Sequence, residues 1–95
     1  AKPDAVIPEQ TSFGFYVLNE GNFLANNASI SYINANYELS LDPYYDANQV
    51  AIGDVLQSFV TFENKGFAVL NNSNTIEVFD LGSWQNLTTI TGITY

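Results

Sequence analysis

The sequence predicts an all-β chain, and three observations carry that reading. Aromatic and β-branched residues recur in runs of about four to eight between Asn-, Gly- and Ser-rich segments. No stretch of ten or more residues carries a helical period. One six-residue strand pattern occurs twice. The apolar fraction of 46% and the aromatic fraction of 15% suffice for a packed core and argue against disorder.

Residues 1–12, with Pro3 and Pro8, read as an extended lead-in. Residues 13–18 form the first predicted strand, with apolar side chains on both faces. Residues 20–28 are a polar loop and residues 29–34 the second strand. Asn34-Ala35-Asn36 reads as a tight turn into a third strand at 37–41. A long connection spans 42–54. A fourth strand is predicted at 55–62, with Glu63-Asn64-Lys65-Gly66 as a hairpin turn in which Gly66 supplies the positive φ. Strands at 67–71, 75–80 and 87–90 complete the chain, and no helix longer than about one turn is expected.

Gly14-Phe15-Tyr16-Val17-Leu18-Asn19 recurs as Gly66-Phe67-Ala68-Val69-Leu70-Asn71, identical at five of six positions and offset by 52 residues. The next strands match in pattern, Ile30-Ser31-Tyr32-Ile33-Asn34 against Ile76-Glu77-Val78-Phe79-Asp80, at an offset of 46. A repeat of this length, made of short antiparallel strands, has the size of a β-propeller blade. The expected architecture is a propeller fragment of about two four-stranded antiparallel blades: a partial blade at 13–41, the connection 42–54 and a second blade at 55–92. An immunoglobulin-like sandwich has a similar strand count but does not require a repeat.

The quoted strands, with Asn72-Ser73-Asn74 and Leu87-Thr88-Thr89-Ile90, resemble the YVTN (YncE-like) propeller repeat over about residues 13–92. Residues 17–23 are similar to the opening blade of surface-exposed propellers from Bacteroidetes-type bacteria. The resemblance implies an exported protein of the cell surface or periplasm. It implies capture of a nutrient such as a corrinoid or glycan, with an outer-membrane transporter as a partner. Some propellers instead hydrolyse lactones or glycans, which keeps an enzyme fragment as the alternative.

Charge and composition exclude several classes. The net charge is −8, with two Lys and no His or Cys. Two lysines cannot form the cationic patch that nucleic acid or an anionic membrane needs. Without His or Cys there is no Ser-His or Cys-His pair and no zinc site built on those ligands. No cofactor is expected.

Strand parity puts the loops 20–28 and 42–54 on one side of the sheets, and loops on a rigid scaffold are where binding concentrates. Glu20, Asn22, Tyr44, Tyr45 and Asp46 are therefore the candidate ligand-binding residues, the two tyrosines as stacking surfaces beside an acid. Packing of those tyrosines beneath the loop is the competing reading. Asp42, Asp46 and Asn48 offer oxygens for Ca²⁺ but lack the spacing and central Gly of an EF-hand loop, so no metal site is assigned. Glu20 with Glu38 or Asp42 has no spacing that favours glycoside hydrolysis, and no catalytic residue is assigned. Trp84 is expected to cover the outer strand. With apolar residues on both faces of the first strand, two isolated blades would expose wide apolar surface. The partners expected are the remaining blades of a longer chain, or about three or four copies of this one.

Overall fold

The computed structural model describes residues 14–92; the predicted lead-in and Phe13 lie outside these. The described chain is all-β apart from one short helix. A three-stranded sheet contains β1 (Phe15–Asn19), β2 (Ser29–Ile33) and β3 (Leu39–Ser40). The helix α1 (Pro43–Asn48) follows. A four-stranded sheet contains β4 (Leu56–Phe62), β5 (Lys65–Leu70), β6 (Thr75–Asp80) and β7 (Asn86–Thr91). Both sheets are antiparallel meanders, in the orders β1-β2-β3 and β4-β5-β6-β7. Both copies of the repeated segment are strands followed by an antiparallel partner.

The six-residue helix α1 exceeds the single turn expected of any helix here and occupies the start of the predicted connection 42–54. The Asp42 side chain accepts from the Tyr45 N–H, Pro43 opens the first turn, and Gln49 closes the helix in the left-handed region. These are local start and stop signals in a segment too short to show a helical period. The third strand is also shorter than predicted. Asn34 Oδ1 accepts from the N–H groups of both Asn36 and Glu38, and Tyr37 has φ 65°. This Asn-centred turn absorbs residues 37 and 38 before β3 begins.

Gly66 has a different role from the one the sequence suggests. The positive φ values of the β4–β5 turn belong to Glu63 (50°) and Asn64 (66°), the pair that closes a two-residue hairpin between Phe62 and Lys65. Gly66 lies within β5. A Cβ there would sit 2.6 Å from the Phe79 ring and 2.8 Å from the Phe59 ring. Its counterpart Gly14 has the same use: a Cβ would come within 2.5 Å of Tyr32 Oη. Both glycines of the repeat give space to an aromatic ring.

The register refines the second half of the repeat. Leu18 stands opposite Ile30, whereas its counterpart Leu70 stands opposite Thr75 rather than Ile76. The apolar residues of β2 and β6 that match in sequence therefore point to opposite faces, because a one-residue slip inverts a strand's facing.

The core lies between the sheets. Tyr16, Ile30 and Tyr32 share the inward face of the first sheet. Phe59, Gly66, Ala68, Leu70 and Phe79 share the inward face of the second. The sheets approach at β1 and β4, where the Leu56 N–H donates to the Glu20 carbonyl at 3.1 Å. Toward β2 and the β6–β7 hairpin the gap is filled by α1. Trp84, with φ 64°, turns inward and stacks on Phe79 at 5.0 Å instead of covering an outer strand.

The space beneath Phe79 yields a test. Gly66→Ala inserts a methyl group between two rings that cannot both retreat, and overpacking of this kind costs about 1–3 kcal/mol. Urea denaturation should show a midpoint lowered accordingly with little change in slope.

Candidate functional site

Two ends of the two-sheet body offer surface for binding. At the loop end, the segment Gly53-Asp54-Val55 joins three parts of the chain. Asp54 is 7% exposed. Its carboxylate accepts from the N–H of Leu24 (2.9 Å), the N–H of Asn26 (3.3 Å) and the Asn72 side-chain amide (2.6 Å). The Asp54 N–H donates to Ser73 Oγ at 2.8 Å. Gly53 and Val55 add backbone bonds, accepting from the N–H of Ala28 and Asn71 respectively. Val55 has φ 58°, costly for a β-branched residue, and these bonds on both sides hold it there. One buried carboxylate thus organises the β1–β2 loop, the entry to β4 and the β5–β6 turn. It does so through neutral backbone and amide donors. The sequence reading missed Asp54; its only signal is a Gly-Asp pair between apolar runs.

The five predicted residues separate into groups. Glu20 is exposed and lines a cleft of about 450 Å³ with Leu18, Val55, Leu56, Gln57 and Asn71. Asn22 is exposed nearby in sequence, its N–H donating to Asn27 Oδ1 and its carbonyl accepting from Ala25. Tyr44 is 3% exposed and belongs to the core, with its ring edge on Phe79 at 5.5 Å and its hydroxyl bonded to Asn86 Nδ2 at 2.9 Å. It presents no surface to a ligand. Tyr45 and Asp46 are exposed on α1. Among the described residues no hydrogen bond joins Glu20 or Asn22 to Tyr45 or Asp46.

The connection starts and ends at the loop end, but α1 leads away from it. The Asn48 amide donates to the carbonyls of Tyr44 and Trp84, and its Oδ1 accepts from the Asn86 N–H. Two of the oxygens considered for Ca²⁺ are therefore engaged, Asn48 Oδ1 by the Asn86 N–H and Asp42 Oδ1 as the helix cap. Among the described residues no group of three or more His, Cys, Asp or Glu is placed to hold a metal.

Buried polarity behind α1 forms a second carboxylate centre. Glu77 Oε1 accepts from Asn86 Nδ2 at 2.9 Å and from the Thr89 hydroxyl at 2.6 Å. Burial pushes the Tyr44 hydroxyl pKa up; the bond from Asn86 opposes this and the nearby Glu77 adds to it. Burial likewise raises Asp42, against the lowering effect of its bond from Tyr45.

The opposite end carries the aromatic cleft, which the sequence reading did not identify. It has a volume of about 570 Å³ and is lined by Tyr16, Tyr32, Asn34, Asn64, Leu81 and Trp84. Tyr16 and Tyr32 meet at 5.1 Å between ring centroids, and each lies 6.1–6.4 Å from Trp84. Burial is the main cause that raises the Tyr16 pKa, and the neighbouring Tyr32 adds to it. Beside the cleft, Asp80 Oδ2 accepts from the Ser83 N–H (2.7 Å) and hydroxyl (3.1 Å), which hold its pKa below the usual carboxylate range. This acid–serine clasp shapes the turn that aims Trp84 inward. The residues are far apart in sequence and none belongs to a binding motif, so only the folded arrangement reveals them.

No model of a known protein family matches the chain, and no curated protein matches it either.

The positions of the two adjacent tyrosines give opposite expectations. Tyr44→Ala removes a buried ring and should cost about 3–5 kcal/mol. Tyr45→Ala removes an exposed ring and should stay within about 0.5 kcal/mol. Thermal unfolding of the two variants checks the assignment, with a large drop in midpoint expected for the first alone.

Proposed function

We propose that the chain is a non-catalytic scaffold and ligand-binding segment of a β-propeller in an exported bacterial surface protein, flanked on both sides by further sheets. The observation that carries the reading is the character of the outward faces. On the four-stranded sheet, Val60 and Phe62 are 60% and 64% exposed, and Phe67, Val69, Ile76 and Ile90 share their face. On the three-stranded sheet, Phe15, Val17 and Leu39 point outward and are exposed. Apolar surface of this extent marks an interface. Sheets with apolar residues on both faces are what blades packed between neighbours require. The meander order and the repeated strand support the same reading. Capture of a small molecule or glycan, and delivery to an outer-membrane transporter, follow from the YVTN-like resemblance.

A second reading, a closed two-sheet sandwich, draws on one specific observation. Tyr16 and Ala68 correspond in the repeat, yet both point into the shared core, Tyr16 against Phe59, the cross-strand neighbour of Ala68. Blades of a ring are related by rotation about one axis, so equivalent residues point the same way around it. Opposed equivalent faces suit a pair of sheets that closes upon itself.

Sedimentation velocity of the 95-residue chain across micromolar concentrations separates the two readings. The propeller reading expects concentration-dependent association as the outward faces find partners, toward about three or four copies. A compact monomer that unfolds cooperatively would reject it in favour of the sandwich.

A further inference from the structure

We propose that the aromatic cleft between Tyr16, Tyr32 and Trp84 is a binding site for a neutral saccharide. The inference rests on reading the chain as a binding element, but not on the assembly of a ring. It assigns the ligand to the end opposite the long loops.

The shape and chemistry of the lining select the ligand class. None of the described lining residues carries a charge, so among them the cleft offers no ionic partner for an anion. Glu38 is bonded to Asn34, Glu63 precedes Asn64, and Asp80 lies 3.5 Å from the Asn64 amide. In a chain of net charge −8 these carboxylates, offset at Asp80 by the nearby Lys65, disfavour an anionic ligand at the rim. A cation is disfavoured by geometry. A cage needs rings on several sides of the ion, each within about 6 Å of it, which places opposing rings well apart. Here the ring centroids are 5.1–6.4 Å from one another, so the rings fill that space themselves. The same packing leaves no slot for a flat heterocycle between two faces. What remains is a tilted floor of the half-buried Tyr16 and Tyr32 rings, with Trp84 only 9% exposed at its base, and such a floor suits the apolar face of a sugar ring.

Polar groups for hydroxyl recognition flank that floor. Tyr16 Oη makes no hydrogen bond among the described residues and is not sealed from solvent. Asn64 holds only one long contact through Nδ2, leaving its Oδ1 as an acceptor. Asn34, by contrast, is committed to its own turn through both side-chain atoms and forms a fixed wall. The volume of about 570 Å³ falls in the range of small-ligand sites, roughly 300–1,000 Å³.

Trp84 is the only tryptophan, so its fluorescence reports on this cleft. The test titrates the whole chain with cellohexaose, xylohexaose, mannohexaose and laminarihexaose. Tetramethylammonium and oligogalacturonate serve as cationic and anionic controls. At least one neutral oligosaccharide should shift the Trp84 emission saturably while the controls do not. Tyr16→Phe keeps the ring and the packing, and should weaken that binding by about three- to tenfold, the worth of one hydrogen bond. Asn64→Ala should weaken it similarly. The proposal is overturned if no neutral oligosaccharide binds, if either control binds as well, or if both variants match the parent chain. Binding that survives both variants but is lost in Glu20→Ala would place the ligand at the loop end, overturning this site while leaving the broader binding reading intact. Sedimentation of the same samples reports on the ring separately.

Discussion

Phe79 is the residue on which the two-sheet body converges. It is fully buried, stacks on Phe59 at 5.8 Å and on Trp84 at 5.0 Å, and receives the edge of Tyr44 at 5.5 Å. Those neighbours come from β4, the β6–β7 turn and α1, and Tyr16 and Tyr32 of the other sheet reach Phe59 and Trp84 in turn. Aliphatic residues such as Ile30, Ile52, Leu56 and Leu70 fill much of the core, and the rings link its parts, each large side chain contributing about 1.5–3 kcal/mol when removed from water. Gly66 is what permits this, because any side chain there would occupy the place of the Phe79 ring.

The polar architecture follows from the aromatic wedge. Once α1 is drawn between the sheets by Tyr44, its free backbone and side-chain groups need partners away from water. Asn48, Asn86, Glu77 and Thr89 supply them as a connected network behind the helix. At the loop end Asp54 does the same for the β1–β2 loop, whose N–H groups at Leu24 and Asn26 converge on one carboxylate. The aromatic cleft is the open edge of the wedge, where Tyr16 and Tyr32 are partly exposed above the buried Trp84. Packing and the candidate binding surface are therefore built from the same residues.

Much of the strand layout was legible because short aromatic and β-branched runs between Asn- and Gly-rich turns leave few alternatives. All seven predicted strands have counterparts, with β6 at its predicted bounds. The helix was missed because six residues cannot display a period, although Asp42 and Pro43 mark its start. The facing of β6 could not be read from the match of Ile30 with Ile76, because it depends on hairpin register, which the four-residue turn after Leu70 determines. Tyr44 and Tyr45 illustrate the limit for sites: adjacent, chemically identical residues on a helix point to different surroundings, and only packing decides which is core. Asp54 and the aromatic cleft were illegible for a further reason, since each gathers residues from three or more distant segments.

The aromatic wedge makes both sheets one cooperative unit. Amide hydrogen exchange of a Phe79→Leu variant tests it most directly. Protection should fall in β1 and β2 as well as in β5 and β6, by comparable factors, because the ring lost from one sheet loosens the rings that anchor the other. A loss confined to the four-stranded sheet, with β1 and β2 protected as in the parent chain, would contradict it.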